Sequence, residues 1–183
     1  EAELGDIAQL VSATAFTRQK IKGSVDVTDL LLDLDYDYEL FPAFAGRTNT
    51  DSDPKQFNQE IRIVSAHGGP IDWILGGFYN RFEQYTFSAE RTPGLPEFLG
   101  VFRPDGLEYI SFTDIDNKEQ AIFGELTWHV TPAFQITGGA RYYKYSAFIS
   151  GATDTPLTGG GRRRTRGGTD RRRSQGLRGG GGH

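Results

Sequence analysis

Four carboxylates recur at alternate positions, Asp33, Asp35, Asp37 and Glu39, with Leu34, Tyr36 and Tyr38 between them. On an extended chain they share one face. Such a row could hold Ca²⁺, a hard cation taking about six to eight oxygens, or select charged ligands by its field. No Gly-ordered ligand loop accompanies it, so the plainer expectation is a solvated acidic loop edge. His67, His129 and His183 are scattered, and the chain has no cysteine. Without a His-Glu-x-x-His or two-His-carboxylate spacing, no metal site and no metal enzyme are expected. Phosphate-binding loops, nucleophile elbows and kinase signatures are missing as well. The residues give no catalytic candidate and imply no cofactor.

Glu60, Arg62, Glu125 and Arg141 remain. They serve either a ligand path or a structural charge ladder, and the ladder is the ordinary role of opposite charges on neighbouring strands.

The elements that must position them follow period 2. Residues 57–66 put Phe57, Gln59, Ile61 and Ile63 on one face, and Asn58, Glu60 and Arg62 on the other. A turn at 67–70 leads to 71–87, with Ile71, Trp73, Leu75, Gly77 and Tyr79 on one face. The design repeats at 118–129, a turn at 130–133, and 134–148. There Ile122, Leu126 and Trp128 alternate with Glu125, Thr127 and His129, and Phe134, Ile136, Ala140 and Tyr142 with Gln135, Thr137, Arg141 and Tyr143. A weaker strand with small and hydroxylated residues covers 10–19. The chain is thus expected to be all-β, an antiparallel meander of about five strands.

Connection lengths alternate. Short turns contrast with long segments at about 20–56 and 88–117, rich in Asp, Pro, Gly and Thr. Soluble domains rarely carry two structureless connections of that length, whereas outer-membrane barrels pair short periplasmic turns with long outer loops. Trp73, Trp128 and Phe134 lie close to the short turns, and Tyr142 lies eight residues beyond Phe134 on the same face. At about 3.3 Å per residue and a tilt near 40°, that separation is roughly 20 Å, matching two aromatic girdles. An antiparallel sandwich with a core of aromatics accounts for the same pattern. The alternation of connections favours the barrel.

Composition agrees with either. Aromatics make up 13% of 183 residues and charged residues 24%, with a mean hydropathy of -0.48. The profile is too aromatic for a disordered chain and lacks the apolar run of a membrane helix. The chain has no Met and opens at Glu1 without a signal peptide, which implies a missing N-terminus. The net charge of -4 hides a split. Residues 159–183 hold eight Arg against Asp170, leaving 12 basic and 23 acidic residues in the first 158. This Gly/Arg-rich tail is expected to be disordered and not to extend the sheet. It is either an RNA-binding arm or the product of a reading-frame slip in GC-rich DNA. The slip is favoured, since a surface barrel offers RNA no role, and no nucleic-acid partner is expected.

Four stretches in order resemble TonB-dependent outer-membrane receptors over about residues 8–150. Phe57-Asn58-Gln59-Glu60-Ile61-Arg62 resembles the family's F-x-Q-E-x-R strand, and Ile71-Asp72-Trp73-Ile74-Leu75-Gly76-Gly77-Phe78-Tyr79 its L-x-W-x-x-G-x-F/Y-Y strand. Ala121-Ile122-Phe123-Gly124-Glu125-Leu126-Thr127-Trp128 is similar to A-x-F-G-E/Q-x-x-Y/W. Thr131 and Gly138-Gly139-Ala140-Arg141-Tyr142 are similar to the T … G-x-R-Y strand. The resemblance implies a bacterial outer-membrane transporter with a barrel of roughly 22 strands and a plugged lumen, of which this chain is a fragment. Its partners would be outer-membrane lipid, the TonB complex reached through an absent N-terminal part, and a scarce solute such as a ferric siderophore. In such a barrel Phe57, Ile61, Trp73, Leu75, Ile122, Leu126, Trp128, Phe134, Ile136 and Tyr142 face lipid. Asn58, Glu60, Arg62, Glu125, Thr127, Gln135 and Arg141 face the lumen. The ligand-binding residues stay unknown. The alternative from another class is a soluble or surface β-sandwich module for binding or adhesion, without transport.

Overall fold

The computed structural model describes residues 1–34, 37–66 and 69–157, and the backbone of 160–174. All its strands form one antiparallel sheet. They are β1 (Ala2–Leu4), β2 (Ala8–Arg18), β3 (Ile21–Asp26), β4 (Arg47–Ser65), β5 (Ile71–Arg91), β6 (Leu107–Thr131), β7 (Phe134–Thr155) and β8 (Gly160–Ser174). The order is β1-β2-β4-β5-β6-β7-β8, with β3 also paired to β4. Both expected hairpins are present, β4 with β5 and β6 with β7. No second sheet lies across from this one among the described residues, so the sandwich loses the facing layer it requires.

The count of eight strands reduces to five long rows and two edges. β2 and β3 hold the same register against β4, Arg18 opposite Lys55 and Ile21 opposite Ser52. They are two halves of one strand interrupted at Gln19 and Lys20. The cause is Pro54, which stands across from Gln19 and has no N–H to donate. One bond survives, Gln19 N–H to the Pro54 carbonyl at 3.0 Å.

Three expectations are corrected. First, the long connections are shorter than the composition suggests. Strand pairing runs on through 47–56 and 107–117, leaving 27–46 and 92–106 between strands. Hydroxylated and acidic residues such as Thr48, Thr50, Ser52 and Thr113 sit comfortably in a ladder whose neighbours are polar too. Second, the acidic run is not a strand. Asp33 closes a short helix, α1 (Thr28–Leu32), Asp37 adopts a left-handed φ of 59°, and Glu39 belongs to a 3-10 turn, Tyr38–Leu40. Asp and Leu both tolerate such turns, and one left-handed residue ends any period-2 face. Asp35 lies outside the described residues. Third, the Gly/Arg segment does extend the sheet. Gly160 to Ser174 pair antiparallel with β7, Thr155 opposite Gly160 and Tyr142 opposite Ser174. An open edge offers backbone donors and acceptors to any extended chain whatever its side chains. The rest of the tail, 175–183, lies outside the described residues, as does His67.

A second, α-helical piece, α2 (Leu95–Phe98), sits in the 92–106 connection behind Gly94 with φ 84°. Leu31, Ala89, Leu95 and Leu157 are buried in this part of the chain, in the connections or next to them. Phe41 packs on Phe98 with centroids 5.0 Å apart, and Tyr38 stacks on Phe44 at 4.6 Å. The connections therefore close into a small cap at one end. The opposite end carries the short connections that follow Leu4, Ser65 and Thr131.

Candidate functional site

Strand register assigns every side chain to one of two faces. Phe57, Ile61 and Ile63 pair with Arg81, Gly77 and Leu75. Ile71, Trp73, Leu75 and Gly77 pair with Trp128, Leu126, Gly124 and Ile122. These in turn meet Ile136, Gly138, Ala140 and Tyr142. The ten residues expected on one side therefore do share it, with Phe134 two positions before Ile136. On β2 the face continues through Leu10, Ser12, Thr14 and Phe16.

This face is bare. Ile122 is 64% exposed, Leu75 58%, Phe134 57% and Ile136 50%. Between the Ile71–Trp128–Ile136 row and the Ile61–Gly77–Ile122–Tyr142 row it carries no charged residue. Gly124, Gly138 and Gly139 leave a shallow apolar depression beside Trp73 and Leu126.

Above the apolar band comes one polar row, Gln59, Tyr79, Gln120 and Lys144, and then a belt of ion pairs. Arg18 forks onto Asp53 (3.2 and 3.0 Å), and Lys55 reaches the same carboxylate at 3.8 Å. Arg81 forks onto Asp116 (3.3 and 3.2 Å) and touches Glu83 at 2.8 Å, while Lys118 meets Asp116 at 3.2 Å. The belt crosses four strands on the same face as the apolar band. Ten residues of β5, from Ile71 to Arg81, separate its lowest row from the bottom of that band. At about 3.3 Å per residue and a tilt near 40° that is roughly 25 Å of height.

The second face is mixed and hydrogen-bonded. Asn58 faces Asn80, and Glu60 faces Phe78. Glu125 faces Gly139, Thr127 faces Thr137, and His129 faces Gln135. All seven residues expected on this side share it, Arg62 and Arg141 included. Thr127 and Thr137 hydroxyls lie 2.9 Å apart, Arg141 donates to Glu119 at 3.1 Å and lies over the Phe78 ring at 5.7 Å, and His129 pairs with Asp72 at 2.7 Å. Gln56 donates to Asn80 (3.2 Å), and Gln84 to Ser52 (2.9 Å). The Phe123 ring covers Gly76, where a Cβ would fall 2.3 Å from it. Glu60 and Arg62 interact only along their own strand, at 3.6 Å. This is a polar ladder with aromatic inserts, in which, of Glu60, Arg62, Glu125 and Arg141, Arg141 alone forms a cross-strand ion pair among the described residues, to Glu119.

The sequence reading missed two groups. The belt was legible in principle, since Arg81 and Glu83 simply continue the Trp73–Tyr79 alternation upward. The carboxylates of the cap, the buried Glu108 and the half-buried Glu90, carried no local signal, because a bulge brings them together. Burial, and then the nearby charge of Glu108, pushes the Glu90 carboxyl above its ordinary range. Among the described residues no three His, Asp or Glu side chains gather as metal ligands, and no helix is long and apolar enough to cross a membrane, which says nothing of crossing by strands. Neither a family model nor a curated protein matches the chain.

Proposed function

We propose that the chain is a wall segment of a TonB-dependent outer-membrane receptor, a β-barrel that takes up a scarce solute such as a ferric siderophore. One observation carries the reading: a charge-free, exposed apolar band roughly 15 Å tall on one face of an unclosed sheet, with a belt of ion pairs on the same face about 25 Å above its lowest row. Burying such a face stabilises by roughly 25 cal/mol per Å², and no layer of this chain covers it among the described residues. Lipid is the partner that fits the spacing, since the apolar rows and the polar row up to the belt together span about the 25 Å of an outer-membrane band. In this reading the belt marks the outer boundary of the hydrocarbon and the mixed face lines the lumen. The four strand motifs supply the family, and with it the TonB-driven uptake and the outer-membrane location.

The chain's two tryptophans make a direct test, since Trp73 and Trp128 both lie on the proposed lipid side near its lower edge. In vesicles both should be quenched by lipids brominated high on the acyl chain, and less by lipids brominated near the terminal methyl. Quenching by aqueous acrylamide that lipid leaves unchanged would sink the reading.

A further inference from the structure

Glu108, 7% exposed, is the one charged side chain among the described residues to be more than nine-tenths buried. A bulge puts it there. Glu90 stands opposite Tyr109 and Arg91 opposite Leu107, so Glu108 is the extra residue on β6, and a bulge re-aims the side chain it inserts. One of its oxygens accepts a hydrogen bond from the Tyr38 hydroxyl, on the 3-10 turn. Its Oε2 is buried with no hydrogen-bond partner. Glu90 lies near enough to feel its charge and takes a 3.4 Å hydrogen bond from the Thr48 hydroxyl. Among the other charged groups nearby, Asp37 and Glu39 lie on the turn itself and Arg103 pairs with Asp105. Arg47 faces Asp26, and Arg91 donates to Asn49. Two carboxylates in one desolvated place do not both ionise cheaply.

We propose that Glu90 carries a proton beside the buried Glu108 carboxylate, and that this proton, by leaving one charge where there would be two, keeps the Tyr38 hydroxyl latched on Glu108 and the 37–46 segment on the strand ends. The latched segment also holds Phe41 against Phe98, so the same proton ties the two long connections together. Only two carboxylates meet here, and among the described residues no three His, Asp or Glu side chains gather as metal ligands, so a proton is the ligand proposed. The latch does not depend on which face of the sheet meets lipid.

The sign follows from linkage. The closed cap raises the Glu90 pKa, so closure binds a proton that the open cap releases. Closure is complete below the ordinary value of 4.5 and weakens as pH climbs to the raised one, by up to about tenfold per pH unit. Hydrogen exchange of the folded full chain, read on amides 37–46 and corrected for the intrinsic rate, should show protection falling at least about tenfold between about pH 4 and about pH 7.5. Glu90→Gln, which keeps a neutral group of the same shape, should stay protected at both. Tyr38→Phe, which keeps its stack on Phe44, should lose protection at both. Wild-type protection that is the same at both pH values would overturn the latch, as would a parallel fall in Glu90→Gln. Protection regained at the higher pH with millimolar CaCl₂ and lost with EDTA would also overturn it, by making the site a cation site.

Discussion

Leu126 and Glu125 are chain neighbours with opposite environments. Leu126 stands on the bare face, 49% exposed, between Trp73 and Gly138, while Glu125 stands on the mixed face across from Ile74 and Gly139. If the bare face meets lipid, Leu126→Arg should cost roughly 2–4 kcal/mol in the complete receptor, and Glu125→Gln a fraction of that. Folding titrations into lipid vesicles measure both. Equal losses contradict the assignment of faces. This contrast was fully legible in the sequence, because period 2 places side chains without any knowledge of the partner strands. The Glu90–Glu108 pair was not. Its members are 18 positions apart, and the bulge that joins them breaks the very alternation by which the strands are read. The row Asp33, Asp35, Asp37 and Glu39 shows the converse. It has the right spacing for a strand face, and the left-handed Asp37 undoes it.

At the scale of elements, Pro54 interrupts the row that faces β4 without shifting its register. It sits inside a 19-residue strand, and it splits the facing strand into β2 and β3. Pro54→Ala restores the donor. The facing strand should then run unbroken through Gln19 and Lys20, the new amide at 54 should be protected from exchange, and stability should rise by about 0.5–1.5 kcal/mol. A loss of stability instead would mean that the break is needed, with Arg18 and Lys55 held on Asp53 by the kink. Strand cores and the two hairpins were readable from alternation and turn residues. Strand ends were not, since the outer third of β4 is polar on both faces and resembles a loop. β8 was unreadable for a different reason. Its pairing belongs to the edge of β7, which supplies hydrogen bonds to a segment with no strand pattern of its own. Removing residues 159–183 should therefore raise amide exchange across Tyr142–Thr155 while leaving the β4–β5 hairpin protected. Unchanged exchange in β7 would show that the Gly/Arg segment contributes nothing to the sheet in solution.

The whole molecule is a single sheet with one end capped, one face bare and two edges open. β6 is 25 residues long, whereas roughly ten residues suffice to cross an outer membrane. With the apolar band in the bilayer, the strands overhang it, and Glu90 stands nine residues above the Arg81 row. That is about 23 Å beyond the hydrocarbon edge at a tilt near 40°. The Debye length at physiological salt is about 8 Å. Anionic membrane surfaces gather hydronium ions, but only within that distance. The cap lies almost three screening lengths out, so Glu90 would titrate against the surrounding medium and be deaf to the acidity of the lipid surface beneath it.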